Sequence, residues 1–331
     1  MLLFKSLPMR ILRVRFLRMN GRISLLFFLV LLSAALRAQD ASFQKEEDSL
    51  RLLSKRIYAV GSEADKLAAN AGFSEFLLKV LQEPGIYAWP FDSLQGIGCL
   101  RAPDNAFRIF NWNVPLINGS SRYFGFILLP GKKGQAGNVI VLSDHSDSIA
   151  DATNQILPAS RWYGVLYYSI LKNVWKKQTI YTLLAWDGYS AKSSRKIIDI
   201  LTFNPDGVPM FGMPVFKTAD GLRTRVIFEY SRSAVMTLHY DNQLLVTGQR
   251  PGGQPKTKKT GMIVVDRLIP ADARLKGQFA YYVPAGDTYD AFIFRQGFWS
   301  LAEDVMVNNP AVKGKVEKAK PIEYNLLPSR K

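Results

Sequence analysis

One cysteine, two histidines and no acidic side chain before Asp40 are the scarcities of this 331-residue chain. Cys99 alone excludes an intramolecular disulfide and any structural zinc site built from several thiolates. No G-x-S-x-G elbow is present to support a serine nucleophile. The glycine-containing stretch "GKKGQAG" lacks the spacing of a phosphate loop, and its context is a hairpin turn. The unbroken apolar run "ISLLFFLVLLSAAL" has only fourteen residues, roughly 21 Å of helix against the ~30 Å of a bilayer core. No cysteine follows that run, which excludes a lipid-anchored N-terminal Cys.

What precedes and surrounds the run is basic: Lys5, Arg10, Arg13, Arg15, Arg18, Arg22 and Arg37. A basic lead, a short apolar stretch and small residues before "RAQD" read as a signal peptide over residues 1–38, cut after Ala38, with Met19 as an alternative start. The expected product is exported, to the periplasm or cell surface, and keeps no stable transmembrane span. Removing those seven side chains from the 43 Lys and Arg leaves 36 against 27 Asp and Glu, a net of +9 instead of +16. Part of that surplus lies in "RPGGQPKTKK" at 250–259 and in the tail from 309 to 331, both loop-like in composition. For an exported protein the relevant partners are envelope components, not nucleic acid. With 48% hydrophobic and 12% aromatic residues the chain has the material for a large core.

Two helices are expected over 39–85. Phe43, Leu50, Leu53 and Ile57 fall on one helical face, Ser62 with Asp65 three residues later marks a second start, and "EPG" at 83–85 stops it. From 86 to 308 the texture is β: short runs such as "FRIFNWN", "RYFGFILLP", "TIYTLLAWD", "KIIDILTF", "TRVIFEYS" and "GMIVVDRLI", separated by turns. Their spacing leaves no room for crossover helices, so an antiparallel meander, a sandwich or a propeller-like array is predicted, with an N-terminal helical hairpin. The segment "RQGFWSLAEDVMVN" reads as a short helix or turn, "YDNQ" as a turn, and the Asp187-Gly188 pair as a hairpin corner needing positive φ.

Chemistry is harder to place. Asp144, His145 and Asp147 are weak metal candidates; the commoner meaning of such a stretch is a solvated turn. His239 and Asp241 form an i, i+2 pair on one strand face. Asp187, Asp199, Asp206, Glu229, Asp241, Asp266 and Asp290 are all available as paired carboxylates, and none stands out. The surplus is aromatic: Trp112, Trp186, Tyr189 and Trp299 are the candidate ligand-binding side chains, able to stack on sugars or grip a peptide, or else to fill an all-β core. No cofactor is implied.

The set "FRIFNWN", "YTLLAWDGYS" and "FGMPVF" resembles a family of exported bacterial β-rich proteins without an assigned activity, with R-I-x-x-W, Y-T-L-L-x-W-D and F-G-x-P-x-F motifs over about residues 95–305. Ala185 stands where that pattern has glycine. The resemblance transfers no catalytic residue. Two readings follow: a non-enzymatic protein binding an envelope glycan or a protein partner, or a hydrolase of an envelope polymer that uses carboxylates with or without a histidine.

Overall fold

The computed structural model describes residues 21–132, 134–249, 253 and 255–305. Helices α1 (Gly21–Ile57) and α2 (Glu63–Leu81) are followed by β1 (Gly98–Arg101), β2 (Arg108–Pro115), β3 (Ser121–Leu129), β4 (Asn138–Ser143) and the two-residue β5 (Leu157–Pro158). Next come β6 (Leu166–Trp175), β7 (Gln178–Asp187), β8 (Ser193–Phe203), β9 (Pro209–Phe211), β10 (Phe216–Thr218) and β11 (Gly221–Arg223). The last are β12 (Val226–Ser231), β13 (Leu238–Gln249), β14 (Pro255–Pro270), β15 (Tyr282–Arg295) and β16 (Phe298–Val305). The protein is mainly β, with an N-terminal pair of helices, as the sequence predicts.

Strands β1-β2-β3-β4 form a first sheet, and β5-β9-β8-β7-β6 a second. The order β11-β10-β16-β15-β14-β13 forms a third. β12 joins the second sheet along the N-terminal half of β8, on the edge whose C-terminal half takes β9. Neighbours are antiparallel except β10 and β16.

Side-chain alternation stacks these sheets. On β2, Phe110, Trp112 and Val114 pack with Phe43, Leu50, Phe73 and Leu77 of the helices, while Ile109 packs the other way against Leu183, Ile197 and Leu201 of the second sheet. That sheet in turn gives Ile180, Leu184, Ile198 and Ile200 to a core shared with Phe216, Ile263, Phe292 and Trp299 of the third. The order of layers is therefore helices, sheet, sheet, sheet. Along β12, Tyr230 is buried and Val226, Ile227, Phe228, Glu229 and Ser231 are half-buried.

Polar side chains tie the helices on. At the expected start of α2, Ser62 and Asp65 form a capping box. Glu47, 3% exposed, accepts Trp89 Nε1 and the Ser93 N–H, each at 2.6 Å. Arg108, 2% exposed, donates to the carbonyls of Tyr87 (3.1 Å), Trp89 and Pro90 (2.9 Å), pinning the connection from α2 to β1. Burial pulls its pKa down to about 10.

Glu46 shifts in the opposite direction. Burial first, then the hydrogen bond and charge of Glu83, push its pKa up to about 7, with Lys79 opposing. A carboxyl raised in the fold contributes full stability below its ordinary value and loses it as pH climbs through about 7. Glu46→Gln is accordingly expected to raise the melting temperature at pH 8 and leave it unchanged at pH 4, read by thermal unfolding at the two pH values.

Several expectations are corrected here. "RQGFWSLAEDVMVN" is not helical: its described part is the tight turn Gln296-Gly297 and strand β16. "YDNQ" lies inside β13. Residues 255–259 of the basic stretch belong to β14 and pair with β13, so they are not a loop; 250–252, 254 and the 309–331 tail lie outside the described residues. The first helix expected over 39–85 is part of the longer α1, Gly21–Ile57, which takes in the apolar stretch as well and leaves the signal-peptide reading as it stands. Among the described residues no helix is long and apolar enough to cross a membrane.

Candidate functional site

Three adjacent strands carry one row of charge. The register sets Asp187 on β7 opposite Arg195 on β8, and Arg195 opposite Glu229 on β12. With strands about 4.8 Å apart, a carboxylate stands on each side of one guanidinium. Arg195 donates Nε and Nη2 to Glu229 Oε2 at 3.1 and 2.9 Å, and Nη1 to the Tyr163 hydroxyl at 3.0 Å. Its Cζ lies 3.1 Å from the centroid of the Tyr189 ring. Ser193 Oγ completes Glu229 with a bond to Oε1 at 2.7 Å.

The first sheet reaches over this row. Tyr123 on β3 donates its hydroxyl to Asp187 Oδ1 at 2.8 Å and accepts the Gly188 N–H at 2.7 Å. Asp144, just after β4, holds that junction by accepting the backbone N–H groups of Tyr123 (2.9 Å), Ser146 (2.9 Å) and Gly164 (3.2 Å). A side chain at position 164 would put its Cβ 2.3 Å from Asp144 Oδ1, so only glycine fits there.

Between the row and this overhang opens a cleft of about 590 Å³. Its walls include Ser121, Asp147, Asp151, Tyr163 and Tyr189, with Phe279 at one side. Four carboxylates (Asp147, Asp151, Asp187, Glu229) face one cation, Arg195, among the described lining residues. Asp187 is 5% exposed, and burial pushes its pKa up to about 6; the Tyr123 hydrogen bond and the Arg195 charge hold it down, and Asp144 and Glu229 add to the rise. Burial works against the Arg195 charge, but Tyr163 and Glu229 outweigh it and keep its pKa above the ordinary value. Burial raises the Tyr163 hydroxyl to about 12.

The candidate aromatics separate. Trp112 is wholly buried beneath the helices, edge-on to Phe73 with Nε1 on Asn70 Oδ1 at 2.6 Å. Trp299 is wholly buried between the second and third sheets, with Nε1 on Thr182 Oγ1 at 3.0 Å. Both rings are core. Trp186 lies on the face of β7 opposite Asp187, and Tyr189 alone lines the cleft. Of the weak metal candidates, Asp144 is taken up by backbone N–H groups, exposed His145 sets Nδ1 3.1 Å from the Ser143 carbonyl, and Asp147 lines the cleft. Among the described residues no three His, Cys, Asp or Glu side chains are grouped to hold a metal ion. Asp241 bonds to the Asn242 N–H and the Gln243 amide. Burial pushes the Cys99 thiol up to about 12, far from a thiolate nucleophile.

Sequence reasoning had the two carboxylates in a long list and missed Tyr123, Tyr163 and Arg195. Asp187 ends β7, and Arg195 and Glu229 each lie two residues inside an end of their strands, but only register aligns the three. Fold and cleft together define a mainly β protein of three stacked sheets behind a helical hairpin, with an acid-lined cleft where the first two sheets meet. No family model matches the chain, and neither a curated protein nor a solved structure matches it.

Proposed function

We propose that the protein is exported and binds, without catalysing a reaction, a neutral or amine-bearing stretch of an envelope glycan in this cleft. The observation that carries the reading is the Asp187–Arg195–Glu229 row flanked by tyrosine rings. Sugars are recognised by such fixed donors and acceptors beside an aromatic face. The excess of carboxylates repels phosphates and other polyanions, so the net basicity of the chain does not describe its site. A nucleic-acid partner has no place in this reading.

The hydrolase reading has one observation in its favour: Asp187, with its pKa raised to about 6, shares a cleft with a second carboxylate. A glycosidase would use the first as acid and the second as base. Glu229 is poorly suited to that work, because two Arg195 donors and Ser193 Oγ already engage it. Calorimetry with chitotriose and with soluble peptidoglycan fragments separates the two. Saturable binding by the full chain, weakened about tenfold or more in Arg195→Met, is expected, since a charged hydrogen bond contributes ~1.5–3 kcal/mol. Absence of binding to every glycan tested sinks the proposal, and release of shorter saccharides transfers it to the hydrolase.

A further inference from the structure

The same three strands show a different chemistry on their other face. Where Asp187, Arg195 and Glu229 point into the acid-lined cleft, their neighbours Trp186, Ser194, Lys196 and Tyr230 point the opposite way and, with Arg232 and Met236, line a separate pocket of about 380 Å³. No Asp or Glu is among its described lining residues. Lys196 Nζ lies 4.6 Å from the Tyr168 ring centroid, and neither it nor Arg232 pairs with a carboxylate among the described residues. Arg232 spends Nη1 on the carbonyls of Gly119 and Ser190, at 2.9 and 2.7 Å, which fixes the guanidinium beside the pocket. Tyr230, 4% exposed, sets its ring in the same pocket wall beside Trp186 and Ser194. Partial burial also lowers the Lys196 pKa.

Two cations without a carboxylate partner share this wall with the Tyr230 phenol, an indole ring and a thioether. We propose that this pocket is a second ligand site, for a single oxyanion, carboxylate or phosphate, carried on a ring or short apolar body that lies against Trp186 and Met236. The oxyanion takes the place of the missing counter-charge, and the apolar body covers the exposed edge of the pocket. The site stands apart from the glycan reading, since it uses the other face of the sheet and ligand of the opposite charge. Gly188 links the two: it bonds the Tyr123 hydroxyl on one side, and a Cβ there would come within 2.8 Å of the Trp186 ring on the other.

Titration of the full chain with phenyl phosphate, benzoate, inorganic phosphate and benzylamine, followed by calorimetry and tryptophan fluorescence, tests this. Saturable binding of phenyl phosphate and benzoate is expected, weaker binding of inorganic phosphate, and none of benzylamine. Lys196→Met should weaken phenyl phosphate about tenfold or more, the scale of one lost charge-assisted hydrogen bond, while Lys196→Arg retains it. Lys45→Met, which removes the same charge from exposed α1, should change nothing. Arg232→Met supplies an independent loss if Lys196→Met fails to fold. Failure of both aromatic anions to saturate, equal binding of benzylamine, or unchanged affinity in folded Lys196→Met and Arg232→Met overturns the proposal.

Discussion

Arg225→Met is expected to lower the unfolding free energy by about 3–5 kcal/mol, because it strands a buried carboxylate. Arg225 Nη2 lies 2.9 Å from Asp199 Oδ1, and both side chains are 0% exposed. Asp199 is further held by the Tyr167 hydroxyl at 3.0 Å and the Ile200 N–H at 2.8 Å, and Tyr167 in turn accepts Trp162 Nε1 at 3.0 Å. Without the guanidinium that chain keeps a charge that water cannot reach. Against a total stability of roughly 5–15 kcal/mol this is a large fraction. Urea unfolding should show the midpoint fall with the slope unchanged. A double variant, Asp199→Leu with Arg225→Met, should recover much of the loss, since it removes both charges together. A single-variant cost below about 1 kcal/mol would mean that water or another group reaches Asp199.

The same arginine ties fold to cleft. It donates to the Ala152 carbonyl, and its neighbour Thr224 bonds the Thr153 carbonyl through both N–H and Oγ1. Ala152 and Thr153 are wall residues of the cleft. A loss at Arg225 is therefore expected to loosen the site before the sheets themselves give way, because the wall is a connecting segment held from one side.

How much of this the sequence disclosed depends on which physical signal each element carries. The helices and most strands were legible because apolar periodicity is local: the Ser62–Asp65 cap and the strand runs sit where the pattern puts them. β16 was not, because Phe298, Trp299 and Leu301 fit a helical face as well as a strand, and the deciding feature was the two-residue turn before it. Gln296 and Gly297 take φ of 51° and 84°, closing Arg295 onto Phe298. Lys176 and Lys177 do the same between Trp175 and Gln178, at φ of 46° and 68°, although two lysines carry no turn signature. Asp187-Gly188 failed in the reverse sense. It looked like the turn itself, yet Gly188 is not in the left-handed region; β7 runs through Asp187 and the turn is the loop 188–192. Glycine is needed there because the Trp186 ring leaves no space for a Cβ. The cleft stayed hidden for the related reason that a row across β7, β8 and β12 exists only once register is fixed.

Asp187→Asn is expected to make the protein more stable and less able to bind. The carboxyl is buried, and its pKa of about 6 lies above the ordinary 3.8. The folded state therefore favours the protonated form. Its contribution is complete below the ordinary value and is lost as pH rises through about 6. Above that the fold carries the cost of a desolvated charge, on the order of 2–3 kcal/mol. Asparagine keeps an oxygen to accept the Tyr123 hydroxyl and removes the charge. Thermal unfolding should show the variant ahead of the parent at pH 8 and level with it near pH 4. Glycan affinity should move the other way: in the parent it rises as Asp187 ionises through pH 6, and in Asp187→Asn it is weaker and flat across the same range. A variant that loses stability at pH 8 would instead make the Tyr123–Asp187 pair a structural tie. The combination of a stabilised fold and a weakened, pH-independent ligand affinity is what distinguishes a carboxylate kept for its ligand from one kept for packing.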